Sequence, residues 1–281
     1  MATFSNNDFY KVADFENIDF SKCNQHLMNG CVLNIKNIFR ENEIQNLLTE
    51  VATAIEIITK KKFSIKDLSF INNEELLMQI WNCLRDLPAF MSVISNIKIT
   101  SLLKKLLLTN QIIIPYDWTL LRLDSHIQRF TEFYWHQDYH YNVITLDTIT
   151  AWIPLQNSDA NNNNGGISFF KNENNDLLKV KKLSKHSKLN PNRINYDYSD
   201  DLIKKFEANK FDLYEYDAGD CILFKSNVIH RSYNPENNFQ RLVVNFRAAS
   251  NESRELEQKK RFMARQKYPF YFYERHKEYI V

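Results

Sequence analysis

Four stretches rich in β-branched and aromatic residues decide the fold. They read IIIPYDWTLLRLDS at 112–125, VITLDTITAWIPL at 143–155, CILF at 221–224 and RLVVNFRA at 241–248. Turn-forming residues lie between them, which is the pattern of strands connected by loops. The helical patterns precede these strands and do not alternate with them. This order predicts a mainly β fold, an antiparallel sandwich or jelly roll with a helical cover, and argues against a parallel α/β sheet.

The helical cover is predicted upstream, where apolar residues recur at three- and four-residue steps. The pattern indicates helices over 41–60, around 76–84 and over about 90–108, after a strand at 31–39. We therefore expect one domain over residues 1–281. Its parts are an N-terminal extension (about 1–30), a mostly helical cover (31–110), a jelly-roll core (111–250) with an insert at about 171–212, and a C-terminal helix (about 252–267) and tail (251–281).

The composition excludes several classes of protein. Hydrophobic residues make up 44% and charged residues 25% of the 281 residues, enough for a sizeable core. A net charge of +2 argues against a dedicated nucleic-acid binder. The four cysteines form no CxxC pair, and the chain has neither a secretory start nor an apolar run long enough to span a membrane. We expect a cytoplasmic protein without a membrane partner; the oligomeric state is not predicted.

The segment Trp135-His136-Gln137-Asp138 places a histidine and an aspartate two residues apart. On an extended strand the two side chains point to the same face, so an imidazole and a carboxylate approach one point in space. A second histidine from a distant strand would complete the two-histidine, one-carboxylate set of non-heme Fe(II) oxygenases. The spacing alone also fits a surface histidine beside a turn aspartate.

Two residues near the end of the predicted core have the chemistry to complete such a site. His230 follows the turn 217–220 and the strand 221–224, and Arg241 lies among apolar residues of the strand 240–248. A buried guanidinium needs an anionic partner, and no acidic residue lies nearby in sequence. This favours a co-substrate carboxylate bound by the guanidinium fork. A structural His230 and a solvent-facing Arg241 are the alternatives.

The order of these motifs along the chain is more specific than any one of them. They are WHQD (135–138), AWIPL (151–155), NGG (164–166), AGDCILF (218–224), IHRSYNPENNFQR (229–241) and LVVNFRA (242–248). In this order the chain resembles the phytanoyl-CoA dioxygenase family of Fe(II)- and 2-oxoglutarate-dependent oxygenases over about 31–250. The resemblance implies a double-stranded β-helix (jelly roll, cupin-like) with N-terminal helices packed on one sheet.

The resemblance also implies roles for individual residues. The expected iron ligands are His136, Asp138 and His230. Arg241 is the expected partner of the far carboxylate of 2-oxoglutarate, with Ser232 assisting it. Thr150 and Trp152 share a face of their strand and are expected to line the co-substrate pocket. Residues expected near the substrate or around the site are Arg122, Tyr134, Gln137, Tyr139 and Asn245.

The activity implied is hydroxylation, or a related oxidation, of an unactivated C–H of a small molecule. 2-Oxoglutarate and O2 would be consumed, and succinate and CO2 released. Asp138 favours hydroxylation, because related halogenases have Gly or Ala there and so free a site for halide. The segment SFFKNENN (168–175) departs from the family's usual Pro-Gly-Ser-His, so the substrate is not predicted. The modestly basic insert favours an anionic or carrier-bound one.

Two other functions remain open at this point. One is a non-catalytic jelly-roll binding module with a vestigial metal site, against which the complete set of His, Asp, His and Arg counts. The other is a cupin-like metal isomerase that uses Zn or Mn without 2-oxoglutarate. Such an isomerase would have no co-substrate carboxylate for Arg241 to bind.

Overall fold

A computed structural model describes residues 10–65, 67, 70–71, 73–116, 119–125, 135–171, 176–184, 194–207, 209–233, 240–260, 263–265 and 276–280. The strands in this part of the chain are β1 (Tyr10–Asp14), β2 (Val32–Lys36), β3 (Ile112–Ile113), β4 (Leu120–Ser125), β5 (Asn142–Val143), β6 (Ile149–Pro154), β7 (Gly166–Phe170), β8 (Lys181–Ser184), β9 (Ile194–Asp197), β10 (Lys210–Leu213), β11 (Cys221–Lys225), β12 (Ile229–Tyr233), β13 (Gln240–Ser250) and β14 (Ala264–Arg265). The helices are α1 (Phe20–Met28), α2 (Glu41–Thr59), α3 (Glu74–Arg85), α4 (Pro88–Ile94), α5 (Ile97–Leu106), α6 (Asp200–Glu207) and α7 (Arg254–Gln258).

Two sheets form the sandwich. The large sheet has the order β1-β2-β11-β6-β13-β3, with β4 also paired to β13, and the small sheet has the order β10-β7-β12. Every pairing in these sheets is antiparallel except that of β1 with β2. The predicted jelly-roll class is confirmed, although the sheets do not close into a barrel.

The long strand β13 separates two cores, because its residues alternate between the faces of the large sheet. Leu242, Val244 and Phe246 pack with buried residues of the helices α2 to α5. Val243 faces the other way, into a core between the sheets that includes Trp152 and residues of β7 and β11. The helices therefore cover one face of the large sheet, as predicted, and the opposite face is left to build the site.

The predicted helix over 90–108 is divided into α4 and α5. Asn96 caps α5, because its side-chain oxygen accepts a hydrogen bond from the backbone N–H of Lys98. Asparagine is favoured at this position over the interior of a helix. The predicted C-terminal helix is also shorter than expected, because Lys260 adopts a φ of 52°, a left-handed conformation that ends helices.

The insert at 171–212 contains regular secondary structure in its described residues. It contributes β8, β9, α6 and the start of β10, which pairs with β7 of the small sheet. Its residues Tyr198 and Phe206 join Trp135 and Phe170 in an apolar cluster, and the rings of Trp135 and Phe170 stack at 3.7 Å. No helix in the described part of the chain is long and apolar enough to cross a membrane.

Candidate metal centre and co-substrate cavity

Two histidines far apart in sequence are brought together by backbone pairing. His230 lies in β12, and His136 forms an isolated antiparallel bridge with it. Each residue donates its backbone N–H to the other's carbonyl, at 3.0 Å from His136 and 2.8 Å from His230. The imidazole centroids lie 4.2 Å apart. This pairing fixes the two rings side by side between the sheets.

Asp138 completes a cluster with the two histidines, but not by the predicted route. It begins a 3-10 turn over Asp138–His140, so the motif is not one continuous strand. Its Oδ1 lies 3.7 Å from Nε2 of His136 and 3.9 Å from Nε2 of His230. The three ligand atoms lie within 4.8 Å of one another, and all three residues are buried. Adjacent donors on one ion at about 2.0–2.2 Å lie about 3–3.6 Å apart, so the cluster can hold a single metal ion once the three side chains close slightly on it.

The protonation states of the cluster also suit a metal ion. Nδ1 of His230 lies 3.0 Å from the carbonyl of Val228, so the proton resides on Nδ1 and the lone pair of Nε2 can bind a metal ion. Burial lowers the pKa of His230 to about 3, so its ring is neutral. Burial acts to raise the pKa of Asp138, but Arg247, His136 and His230 together outweigh it and hold that pKa well below its usual range.

Arg247 and Thr150 hold the carboxylate of Asp138. Arg247 donates from Nη2 to Oδ1 at 2.8 Å and from Nε to Oδ2 at 3.0 Å. The hydroxyl of Thr150, predicted to line the co-substrate pocket, instead donates to Oδ2 at 2.6 Å. Sequence analysis did not single out Arg247. The sequence did contain one sign of it: Arg247 is six residues after Arg241, so the two side chains share a face of β13. Its position opposite Thr150 of β6 follows from the strand register.

A cavity between the sheets opens onto the three candidate ligands. Four other residues predicted for the site line it: Arg122, Trp152, Ser232 and Asn245. The remaining lining residues are Leu120, Tyr141, Asn142, Ile167, Phe224 and Arg247. Its lining thus combines charged and polar groups with the apolar side chains of Leu120, Trp152, Ile167 and Phe224, as a small, partly charged ligand requires.

Arg241 is fully buried and paired with an aspartate that sequence analysis did not consider. Nη2 of Arg241 donates to Oδ2 of Asp124 at 2.9 Å, and its Nη1 donates to the carbonyl of Gly166 at 3.2 Å. Arg122 approaches Oδ1 of the same carboxylate at 2.8 Å. Burial raises the pKa of Asp124, but the two guanidiniums more than offset it and keep that pKa below its usual range. The central guanidinium carbon of Arg241 lies 5.3 Å from the ring centre of Trp152, which lines the cavity.

Gln137 points away from the cavity and fastens the insert to the candidate metal motif. Its Nε2 donates to the carbonyls of Asp176 at 2.8 Å and Asn227 at 2.6 Å. Its Oε1 accepts from the backbone N–H of Leu178 at 2.9 Å and from the hydroxyl of Tyr198 at 3.2 Å. Its position therefore supports a link between insert and metal motif, and does not support a substrate contact.

Of the two remaining predicted residues, Tyr139 does not line the cavity. The hydroxyl of Tyr139 donates to Glu255 at 3.0 Å and accepts from Lys259 at 2.6 Å, in a cluster next to α7. Tyr134 lies outside the described residues. Substrate roles for these two tyrosines stay predictions.

A jelly roll that buries two imidazoles and one carboxylate between its sheets defines a class of non-heme metal enzymes. The model of one family in this class, phytanoyl-CoA dioxygenase, matches residues 31–243. The chain belongs to this family, and the resemblance inferred from its motifs is confirmed. No curated protein sequence is significantly similar to the chain.

Solved structures share the fold at low sequence identity. The epimerase SnoN, crystallised with Fe3+, alpha ketoglutarate and nogalamycin RO, is 10% identical, with a TM-score of 0.56 over 82% of this chain and 83% of its own. EctD from S. alaskensis with bound Fe is 14% identical, with a TM-score of 0.56 over 83% and 77% of the two chains. The non-heme monooxygenase ThoJ, as a Ni complex, is 14% identical, with a TM-score of 0.52 over 83% and 78%.

Proposed function

We propose that the protein is an Fe(II)- and 2-oxoglutarate-dependent dioxygenase that hydroxylates an unactivated C–H of a small molecule and releases succinate and CO2. The observation that carries the proposal is the buried cluster of His136, Asp138 and His230, in a chain of the phytanoyl-CoA dioxygenase family. One solved structure of this fold, SnoN, contains Fe3+ and alpha ketoglutarate, and another, EctD, contains Fe. These contents support the same cofactors here.

The chain's own residues have distinct tasks in this proposal. His136, Asp138 and His230 hold the metal, and Arg247 with Thr150 fixes the carboxylate among them. When bound, Fe(II) supplies the activation of O2 coupled to decarboxylation of 2-oxoglutarate. The apolar side chains that line the cavity would keep water from the reacting groups.

The far carboxylate of 2-oxoglutarate is assigned to the end of the cavity next to Arg122 and Arg241. The guanidiniums of Arg122 and Arg241 converge there on the carboxylate of Asp124. A guanidinium fork binds a carboxylate through paired, charge-assisted hydrogen bonds. Ser232 and Trp152 line the same cavity, which supports the roles proposed for them.

The substrate is assigned to the part of the cavity near Asn245, Tyr141 and Asn142. The side-chain oxygen of Asn245 is buried and accepts no hydrogen bond from the described residues. 2-Oxoglutarate, as a dianion, has no donor to offer it. A substrate with an O–H or N–H group near the reacting carbon satisfies this oxygen. An anionic or carrier-bound substrate and a cytoplasmic location remain predictions from sequence.

The alternatives fit the site less well. A vestigial binding module has no reason to retain a complete metal cluster with its supporting hydrogen bonds. A cupin-like isomerase that does not use 2-oxoglutarate gives no role to the guanidinium of Arg122, which lines the cavity.

The test uses the full-length protein loaded with Fe(II) under anaerobic conditions. We expect 2-oxoglutarate to bind and to give the visible charge-transfer band of a chelated Fe(II) complex. On admission of O2, slow release of succinate is expected even without substrate, and a panel of small hydroxyl- or amine-bearing compounds should accelerate it. His136→Ala should abolish both signals. Iron binding without 2-oxoglutarate binding would support the vestigial module instead.

A further inference from the structure

The carboxylate of Asp138 has two unlike oxygens. Oδ1 lies 3.7 and 3.9 Å from the imidazoles of His136 and His230 and accepts one hydrogen bond, from Nη2 of Arg247 at 2.8 Å. Oδ2 accepts two hydrogen bonds, from Thr150 at 2.6 Å and from Nε of Arg247 at 3.0 Å. Both lone pairs of Oδ2 are therefore engaged by the protein, whereas Oδ1 keeps one lone pair for a metal ion.

The two donors to Oδ2 come from a single place in the large sheet. Thr150 of β6 and Arg247 of β13 are directly opposed in the register of these strands. Both residues are buried, with Thr150 fully inaccessible and Arg247 9% exposed. A central strand pair is among the least mobile parts of a fold, whereas Asp138 begins a short turn. The sheet therefore supplies the rigidity that the turn lacks.

From this arrangement we infer that Arg247 and Thr150 are positioning residues that hold Asp138 so that it binds the metal through Oδ1 alone. The inference rests on the proposed metal site. Its consequence is that the other coordination positions stay open for the co-substrate and O2, which a carboxylate bound through both oxygens would reduce. Partners behind metal ligands typically change metal affinity by about 10- to 100-fold when they are removed.

A simple charge effect of Arg247 predicts the opposite sign. Its positive charge repels a divalent cation, so its removal would tighten metal binding if charge alone mattered. If Arg247 acts by orienting Asp138, its removal weakens binding despite the loss of repulsion. The direction of the change in metal affinity therefore separates the two explanations.

The experiment measures Co(II) binding to the purified full-length protein by calorimetry and by its visible spectrum. We expect Arg247→Met to weaken Co(II) binding by about 10- to 100-fold and to alter the spectrum, because Asp138 is then free to bind through both oxygens. Arg247→Lys keeps the positive charge but loses the forked guanidinium. Its Co(II) affinity should lie between those of Arg247→Met and the wild type. Thr150→Val should weaken binding by about tenfold, and Thr150→Ser should restore it.

The matched control is Arg241→Met, which removes the other buried arginine from the same face of β13 without touching Asp138. It should leave the Co(II) affinity and spectrum unchanged. Wild-type affinity and spectrum in both Arg247→Met and Thr150→Val, or tighter binding in Arg247→Met, would overturn the positioning role alone. A wild-type protein that does not bind Co(II) at all would overturn the metal site and the inference together.

Discussion

The two ends of β13 carry similar ion pairs with different surroundings. Arg241 pairs with Asp124 at 2.9 Å at one end, and Arg247 pairs with Asp138 at 2.8 Å at the other. At the first end a second arginine, Arg122, approaches the same carboxylate. At the second end the carboxylate's other neighbours are the hydroxyl of Thr150 and two imidazoles. The same kind of ion pair therefore lies beside a second guanidinium at one end, which suits an anion, and beside two imidazoles at the other end, which suit a metal cation.

Asp138→Ala should have the largest effect, because it removes the only anionic ligand among the described residues of the cluster. Metal ions contribute several kcal/mol to such reactions, so 2-oxoglutarate turnover should fall by at least about 1,000-fold. The measurement is succinate release in chloride-free buffer, so that halide cannot replace the carboxylate. Turnover within tenfold of the wild type would contradict the assignment of Asp138 as a ligand.

Asp124→Asn tests the other end through stability. It leaves the guanidiniums of Arg122 and Arg241 without their shared countercharge, so the free energy of unfolding should fall by about 3–5 kcal/mol. Urea denaturation measures this loss, and saturating 2-oxoglutarate should recover part of it. Asp212→Asn is the matched control, since its partly exposed pair with Lys210 should contribute no more than about 1 kcal/mol. Equal losses in the two variants would count against a charged far end.

The sequence was sufficient for the architecture and for the three candidate ligands. Strand-like segments after a helical region predicted the jelly roll and its cover, and the order of short motifs singled out His136, Asp138 and His230. These features depend on local periodicity and on the order of motifs. The division of the predicted helix at Asn96 also has a local cause, because asparagine is favoured at helix starts. It was not predicted, because apolar residues recur with helical spacing on both sides of Asn96.

The partners of the charged groups could not be predicted in the same way. Asp124 meets Arg241, and Thr150 meets Arg247, only because of the register between β4, β6 and β13. A shift of one residue would turn each of these side chains to the other face of the sheet. Gln137 was missed as the anchor of the insert for a related reason, since its partners at 176, 178 and 198 belong to a segment with no strong periodic pattern.

Arg241→Met should separate co-substrate binding from metal binding. Loss of one charge-assisted hydrogen bond corresponds to about 1.5–3 kcal/mol, so the Kd of 2-oxoglutarate should rise by about 10- to 100-fold. Calorimetry on the Co(II)-loaded protein measures this change. Arg122→Met is the companion variant. If Arg122→Met has the larger effect of the two, the far carboxylate belongs to Arg122, which lines the cavity directly.

The smallest expected effect comes from removing a single hydroxyl, that of Ser232, and Thr150 provides a hydroxyl in different surroundings for comparison. Ser232 lines the cavity, whereas the hydroxyl of Thr150 is engaged by Asp138. Ser232→Ala removes one neutral hydrogen-bond donor, worth about 0.5–1.5 kcal/mol, so the Kd of 2-oxoglutarate should rise by about 2- to 10-fold with Co(II) affinity unchanged. Thr150→Val should show the reverse pattern. If both variants change both affinities equally, the two ends of β13 are coupled, and the division into an anion end and a cation end does not hold.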